Sequence, residues 1–340
     1  MFNNKTIFIT GGTGSFGKEF VKNILQNYRP KKIIIYSRDE LKQSEMLSEN
    51  FIKKIKDHSK IVRFFIGDIR DKERLLFAMN DDVDYLIHAA ALKQVPTSEY
   101  NPFETIKTNI LGAQNIIDSA LYYNISKVIA LSTDKASSPT NLYGATKLTS
   151  DKLFISANNY KGKSKTNLSV VRYGNVFGSR GSVIPVLLKQ IPSGTITITD
   201  KNMTRFSITL TEGVKFVNEC LKLMQGGEIF VPKIPSYNIL TLANALAPKC
   251  KIKYTGIRSG EKIHEEMISA HDSHKTLEYK KFYVIKPDSK FFTWNESILN
   301  KKNKNLRGKK CPQGFSYSSH NNTNFLTVEQ LRKLIRNNIH

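Results

Sequence analysis

The chain has 340 residues, 40% hydrophobic and 10% aromatic, which allows a sizeable core, fits about two domains and excludes global disorder. Its net charge of +23 raises nucleic acid and membranes as partners, but the lysines are scattered and form no aromatic-interleaved stripe, so neither is expected; the excess reads as a solvated basic surface serving a small anionic substrate. Three distant cysteines (Cys220, Cys250, Cys311) exclude a disulfide framework, and with no signal-peptide pattern or membrane-length apolar run a cytoplasmic protein is expected.

Residues 5–10 read as a first strand, after which Phe16, Phe20, Val21, Ile24 and Leu25 share one face of a helix. Residues 33–36, 61–66 and 85–88 read as further strands, and 102–123 as one long helix with Pro102 in its first turn. Strands over 128–131 and 168–171 flank a helix over 142–158. This alternation predicts an α/β protein with a Rossmann-type doubly wound parallel sheet. Beyond residue 175 the pattern becomes irregular, with turn signals at 178–181, 192–194, 226–227 and 232–235. The expected organisation is a dinucleotide-binding domain over 1–175 and a smaller mixed α/β substrate-binding domain over 176–340, with some later segments returning to the first. Residues 280–310 read as a basic, loop-rich excursion, and Thr327-Val328-Glu329-Gln330 ahead of Leu331, Leu334 and Ile335 signals a capped last helix.

Between the first strand and helix lies Thr10-Gly11-Gly12-Thr13-Gly14-Ser15-Phe16-Gly17. Such glycines permit a tight turn and close backbone approach, and the helix N-terminus offers N–H groups to a pyrophosphate, so residues 11–17 are the expected dinucleotide cradle. After the second strand come Ser37, Arg38, Asp39 and, one turn on, Lys42. Ser37 and Arg38 suit a ribose 2′-phosphate, favouring NADP over NAD; alternatively Asp39 is the ribose acid and Arg38 faces solvent. Asp68 and Ile69 are placed for the adenine, and Ala89-Ala90-Ala91 offers small residues to the cofactor.

Two further groups carry chemistry. Tyr143 and Lys147 lie one helical turn apart, where an ammonium favours a phenolate able to take a proton from a sugar hydroxyl. Thr133 supplies a hydroxyl, and beside it stand Asp134 and Lys135. A plain oxidoreductase or epimerase has no use for that acid and amine; a dehydratase does, for elimination next to a new ketone. Asp134 is the expected acid. Lys135 is either the base, with Lys147 and the nicotinamide charge lowering its pKa, or the charge partner of Asp134. The histidines show no metal pattern, and no metal is expected.

At these residues the chain resembles the extended short-chain dehydrogenase/reductase superfamily, and within it the inverting UDP-N-acetylglucosamine 4,6-dehydratases. The resemblance runs nearly end to end, through residues 11–17, 37–43, 88–93, 99–102, 131–135, 141–147, 172–181, 203–206, 227–235, 258–265 and 317–322. It implies conversion of UDP-N-acetylglucosamine to UDP-2-acetamido-2,6-dideoxy-β-L-arabino-hex-4-ulose: oxidation at C4, loss of water across C5 and C6, hydride return to C6 and inversion at C5. That is the first step of pseudaminic acid biosynthesis, whose product goes to flagellin or a surface polysaccharide. The resemblance also implies a homo-oligomer, with Lys93 joining cofactor and sugar, Asn175 holding the nucleotide-sugar, and Arg258 and Glu261 gripping diphosphate and uridine ribose, assisted by Arg205. The chain departs from the pattern at Gln94, Thr97-Ser98 and Ser207. Other readings are a UDP-hexose 4-epimerase, a retaining 4,6-dehydratase and an NADP-binding regulator without activity.

Overall fold

The computed structural model describes residues 1–55, 57–80, 82–178, 182–288, 292–303 and 307–338. Residues 179–181 of the glycine-rich turn, and parts of the 280–310 excursion, lie outside them.

Six parallel strands form the N-terminal part of the sheet: β1 (Thr6–Thr10), β2 (Lys32–Ser37), β3 (Val62–Ile66), β4 (Tyr85–His88), β5 (Lys127–Thr133) and β6 (Asn167–Tyr173). All five residues of β1 are buried, as a strand covered on both faces requires, whereas β3 at the sheet edge exposes Arg63 and Ile66. The helix Ser15–Asn27 buries Phe20, Val21, Ile24 and Leu25, each contributing about 1.5–3 kcal/mol of apolar burial at most. From β1 the chain runs outward through β2 and β3, then returns to place β4 on the other side of β1. Thr10 pairs with both Tyr36 and His88, so the loops after β1, β2 and β4 leave the sheet at one level. That is the crevice where open α/β sheets bind ligands.

The later strands are β7 (Thr195–Ile198), β8 (Thr204–Phe206), β9 (Ile229–Pro232), β10 (Ser236–Asn238), β11 (Lys251–Tyr254), β12 (Glu266–Ile268), β13 (Thr276–Glu278), β14 (Phe282–Ile285), β15 (Lys309–Lys310) and β16 (Tyr317–Ser318). Four of them extend the main sheet, giving the order β15-β13-β14-β9-β6-β5-β4-β1-β2-β3. The expected 280–310 loop therefore contains a buried antiparallel strand, β14, and a helix, Glu296–Lys302. The other later strands form three small pairs: β10 with β8, β11 with β7, and β12 with β16. A second apolar core, including Phe177, Ile184, Leu187, Leu242 and Leu331, lies under this part. The last helix, Val328–Asn338, has the capping box read from its sequence: the Thr327 N–H donates to Gln330 Oε1 and the Gln330 N–H to Thr327 Oγ1.

The segment predicted as one helix over 102–123 is broken. Pro102–Ile106 and Gly112–Tyr122 are α-helical, but Lys107–Leu111 is a π turn. The extra residue turns Asn109 inward, where its amide donates to Leu92 O and Thr146 Oγ1 and its oxygen accepts from the Leu92 N–H. The loop after β4 is thereby tied to the helix that carries Tyr143.

Candidate active site

A cleft of about 1150 Å³ opens at the carboxyl ends of the strands. This exceeds the roughly 300–1,000 Å³ of a site for one small ligand and suits two. Apart from Gly12, every cofactor, catalytic and substrate residue expected from the sequence lines its walls.

At one end, Gly11 has φ +65°, and a Cβ there would lie 2.9 Å from Ala90 Cα. The β1 loop and the Ala89–Ala91 loop therefore approach each other in a way only glycine allows. Gly14 caps the first helix without a side chain, and no acidic residue stands in its first turn, so nothing competes with an anion there. Asp39 caps the helix Glu40–Leu47 through the Lys42 N–H, and its other oxygen binds the Lys42 ammonium. Both carboxylate oxygens are thus engaged locally. Arg38 stands at the rim, half-exposed, 3.6 Å from Asp68. Residues 11–17, with Ser37, Arg38 and Lys42, fit a dinucleotide.

Deeper, β5 delivers Thr133, and a single turn of 3-10 helix follows it, Asp134–Ala136. Thr133 Oγ1 donates to Asp134 Oδ1 at 3.0 Å, and Lys135 Nζ lies 3.1 Å from the same oxygen. The helix Leu142–Tyr160, capped by Asn141, carries Tyr143 and Lys147, both buried. The helix and the turn are in tight contact: a Cβ on Gly144 would fall 2.2 Å from Lys135 O. Burial pushes the Tyr143 phenol up to about 12, although Lys135 and a hydrogen bond with Thr133 oppose the shift. Burial lowers the Lys147 ammonium, with Asp151 acting against it.

Of the two roles read for Lys135 from the sequence, base or charge partner of Asp134, its surroundings match the second at rest. Burial alone would lower it, but the carboxylates of Asp134 and Glu265 outweigh that and hold it well above the usual lysine range as an ammonium. Glu265 received no role from the sequence. It sits 2.8 Å from Lys135 Nζ and 3.8 Å from Arg205 Nε. No motif distinguishes it from Glu261 or Glu266; only the fold brings it to the turn after β5.

Residues 258–266 are stitched onto the catalytic turn. Lys262 Nζ donates to Ser137 O, Asn141 donates to Gly260 O, and Ser137 and Ser138 donate to Glu266. Arg205 is buried and donates to Thr204 O and Ile263 O, with Glu261 at 3.5 Å, so it braces this segment. Arg258 is exposed at the rim, and Asn175 follows β6 in the wall. Four buried carboxylate and amide oxygens of the cleft have no hydrogen-bond partner among the described residues: Asp134 Oδ2, Asn175 Oδ1, Glu261 Oε2 and Glu265 Oε2. Among the described residues no His, Cys, Asp and Glu cluster could hold a metal, and no helix is long and apolar enough to cross a membrane.

Residues 7–287 match the family described as "Polysaccharide biosynthesis protein". The chain is 56% identical over 337 residues to the UDP-N-acetylglucosamine 4,6-dehydratase (inverting) of Campylobacter jejuni, covering 98% of each. It is 39% identical over 343 residues to a UDP-glucose 4-epimerase of Rickettsia canadensis, covering 98% and 96%. The X-ray structure of Pen from Bacillus thuringiensis superposes with a TM-score of 0.87 at 37% identity, covering 99% of this chain and 98% of that one. The chain belongs to this polysaccharide biosynthesis family, in the extended short-chain dehydrogenase/reductase superfamily.

Proposed function

We propose that the protein is an NADP-dependent, configuration-inverting UDP-N-acetylglucosamine 4,6-dehydratase. The observation that carries this reading is the Asp134–Lys135 pair, held at 3.1 Å beside Thr133 and the buried Tyr143. A 4-epimerase needs Thr133, Tyr143 and Lys147 but no acid–amine pair, and the Campylobacter jejuni relative bears the dehydratase name.

Residues 11–17 hold the pyrophosphate of the dinucleotide, and Ser37, Arg38 and Lys42 receive its 2′-phosphate. Arg38 and Lys42 beside Ser37 support NADP, since guanidinium and ammonium pair with a phosphate. When bound, the nicotinamide supplies a two-electron couple that takes hydride from C4 and returns it at C6. Tyr143 takes the C4 hydroxyl proton, with Thr133 holding the phenol and the buried Lys147 favouring its anion. Once C4 is a ketone, the C5 proton is acidic. Asp134 protonates the C6 hydroxyl, which leaves as water, and the C5 proton is taken up at Lys135 Nζ, whose ammonium gives up one of its own protons in exchange. Arg258 and Glu261 hold the UDP moiety, with Lys93 and Asn175 on the sugar. The reaction stands at the entry to pseudaminic acid synthesis, a reading that the sequence resemblance supports.

Proton NMR of UDP-N-acetylglucosamine with the protein in D2O tests the reading. A 4-keto-6-deoxy product with deuterium at C5 and L-arabino couplings is expected. A C4 epimer without label at C5 would replace the dehydratase by an epimerase.

A further inference from the structure

Two buried carboxylates flank Lys135, and the proposed elimination uses only one of them. We infer that Glu265 is a positioning residue that acts as the counter-ion of Lys135 and so leaves Asp134 able to hold the proton that departs with the C6 hydroxyl. The inference rests on the dehydratase reading and concerns which carboxylate carries which charge.

The geometry separates the two acids. Glu265 Oε1 lies 2.8 Å from Lys135 Nζ, nearer than Asp134 Oδ1 at 3.1 Å. Glu265 also has a second cation, Arg205, at 3.8 Å, whereas no ion pair of Asp134 among the described residues involves a cation other than Lys135. Ser319 clamps the Glu265 backbone on both sides: the Glu265 N–H donates to Ser319 Oγ and Glu265 O accepts from the Ser319 N–H. The backbone that carries the carboxylate is therefore fixed opposite Lys135. The other ionisable groups around the pair are Tyr143 on its helix, Tyr237 on β10, and Glu261, Lys262, His264 and Glu266 in the segment of Glu265 itself.

Electrostatics push the two acids apart. Burial raises Asp134, Lys135 pulls it back, and the neighbouring Glu265 charge adds to the rise. Burial would raise Glu265 as well, but Lys135 and Arg205 together hold it below the usual carboxylate range. Neighbouring carboxyls separated in this way are how a single site keeps one acid protonated and another ionised. Without the charge at 265, Lys135 would pair with Asp134 alone and draw it into the carboxylate form, removing the acid.

The elimination then balances. The C5–H bond breaks and its electron pair becomes the C5–C6 double bond. The C6–O bond breaks, and the oxygen leaves with the Asp134 proton as water. The C5 proton goes to Lys135 Nζ as that ammonium hands one of its own protons to Glu265 Oε1, so the step ends with Asp134 ionised, Lys135 again an ammonium and Glu265 neutral.

The test compares wild type, Glu265→Gln and Glu265→Asp holoenzymes with UDP-N-acetylglucosamine in D2O. For Glu265→Gln, kcat is expected to fall at least about 100-fold, the scale of lost general acid catalysis, with KM little changed. C4 oxidation should persist, so the near-ultraviolet absorbance of reduced nicotinamide rises and stays high while C5 deuteration slows. Glu265→Asp restores the charge and should recover part of the loss. Wild-type turnover in Glu265→Gln, equal losses in Gln and Asp, or C4 oxidation lost as fully as elimination would each overturn the inference. Absence of C5-labelled product from the wild-type protein overturns the dehydratase reading as well; normal wild-type product with any of those variant results overturns this inference alone.

Discussion

Gly144→Ala places one methyl group between the two halves of the catalytic machinery. Its Cβ would stand 2.2 Å from Lys135 O, a backbone atom that no rotamer change can move aside. Reaching ordinary contact requires the turn Asp134–Ala136 and the helix Leu142–Tyr160 to part by about 1 Å. The helix is held from behind, since Thr146 is tied to Asn109 and Asn141 to Gly260, so the strain falls on the turn. Overpacking of this kind costs about 1–3 kcal/mol, a drop of a few degrees in Tm. A displacement of about 1 Å between reacting groups costs about 100-fold in rate. Dehydration should therefore fall far more than stability does. The assay pairs calorimetric Tm with product formation followed by NMR. Full activity at unchanged Tm would refute the claimed contact between helix and turn.

Other perturbations separate the parts of the site. Tyr143→Phe should slow dehydration by at least about 100-fold while leaving dinucleotide binding, measured by calorimetry, unchanged. Arg38→Ala with Lys42→Ala should weaken NADP by roughly 10-fold or more and NAD little, because only NADP carries the phosphate that these cations face; equal losses would refute that assignment. His88 is fully buried beside Thr10, and burial, assisted by Lys147, lowers it from 6.5 to about 3. The unfolded chain then binds the extra proton between those pH values, so stability falls as pH drops through that window, by about 1.4 kcal/mol per unit for this one group. His88→Asn should flatten the dependence of unfolding free energy on pH by that slope, and an unchanged slope would exclude His88 as its source.

The parallel half of the sheet was readable because doubly covered strands appear as short apolar runs, as in Thr6–Thr10, and because the glycine cradle sits where such a run ends. The strand Phe282–Ile285 is just as apolar and buried, but flanking lysines and the absence of an adjacent helix pattern disguise it as loop. The π turn at Lys107–Leu111 was invisible because side-chain periodicity barely registers one extra residue; only the partners of Asn109 reveal it. Tyr143 and Lys147 meet through helical spacing and could be paired from sequence. Glu265 meets Lys135 across 130 positions of chain, brought there by Ser319 and the pairing of β12 with β16, and no local pattern encodes that meeting.

The strand order carries a consequence for how the chain can be divided. A fragment ending near residue 175 would contain the whole dinucleotide half yet strip β9 from β6, leaving the backbone N–H and C=O groups of the apolar Val170 and Val171 unpaired, a bare template for any passing strand. In the intact protein that growing edge is carried outward through β9, β14 and β13 and ends at Lys309–Lys310, both exposed. Two lysines on so short a final strand repel further addition. Some of the basic surplus thus serves as a stop to sheet growth, and a truncated chain lacking it should aggregate.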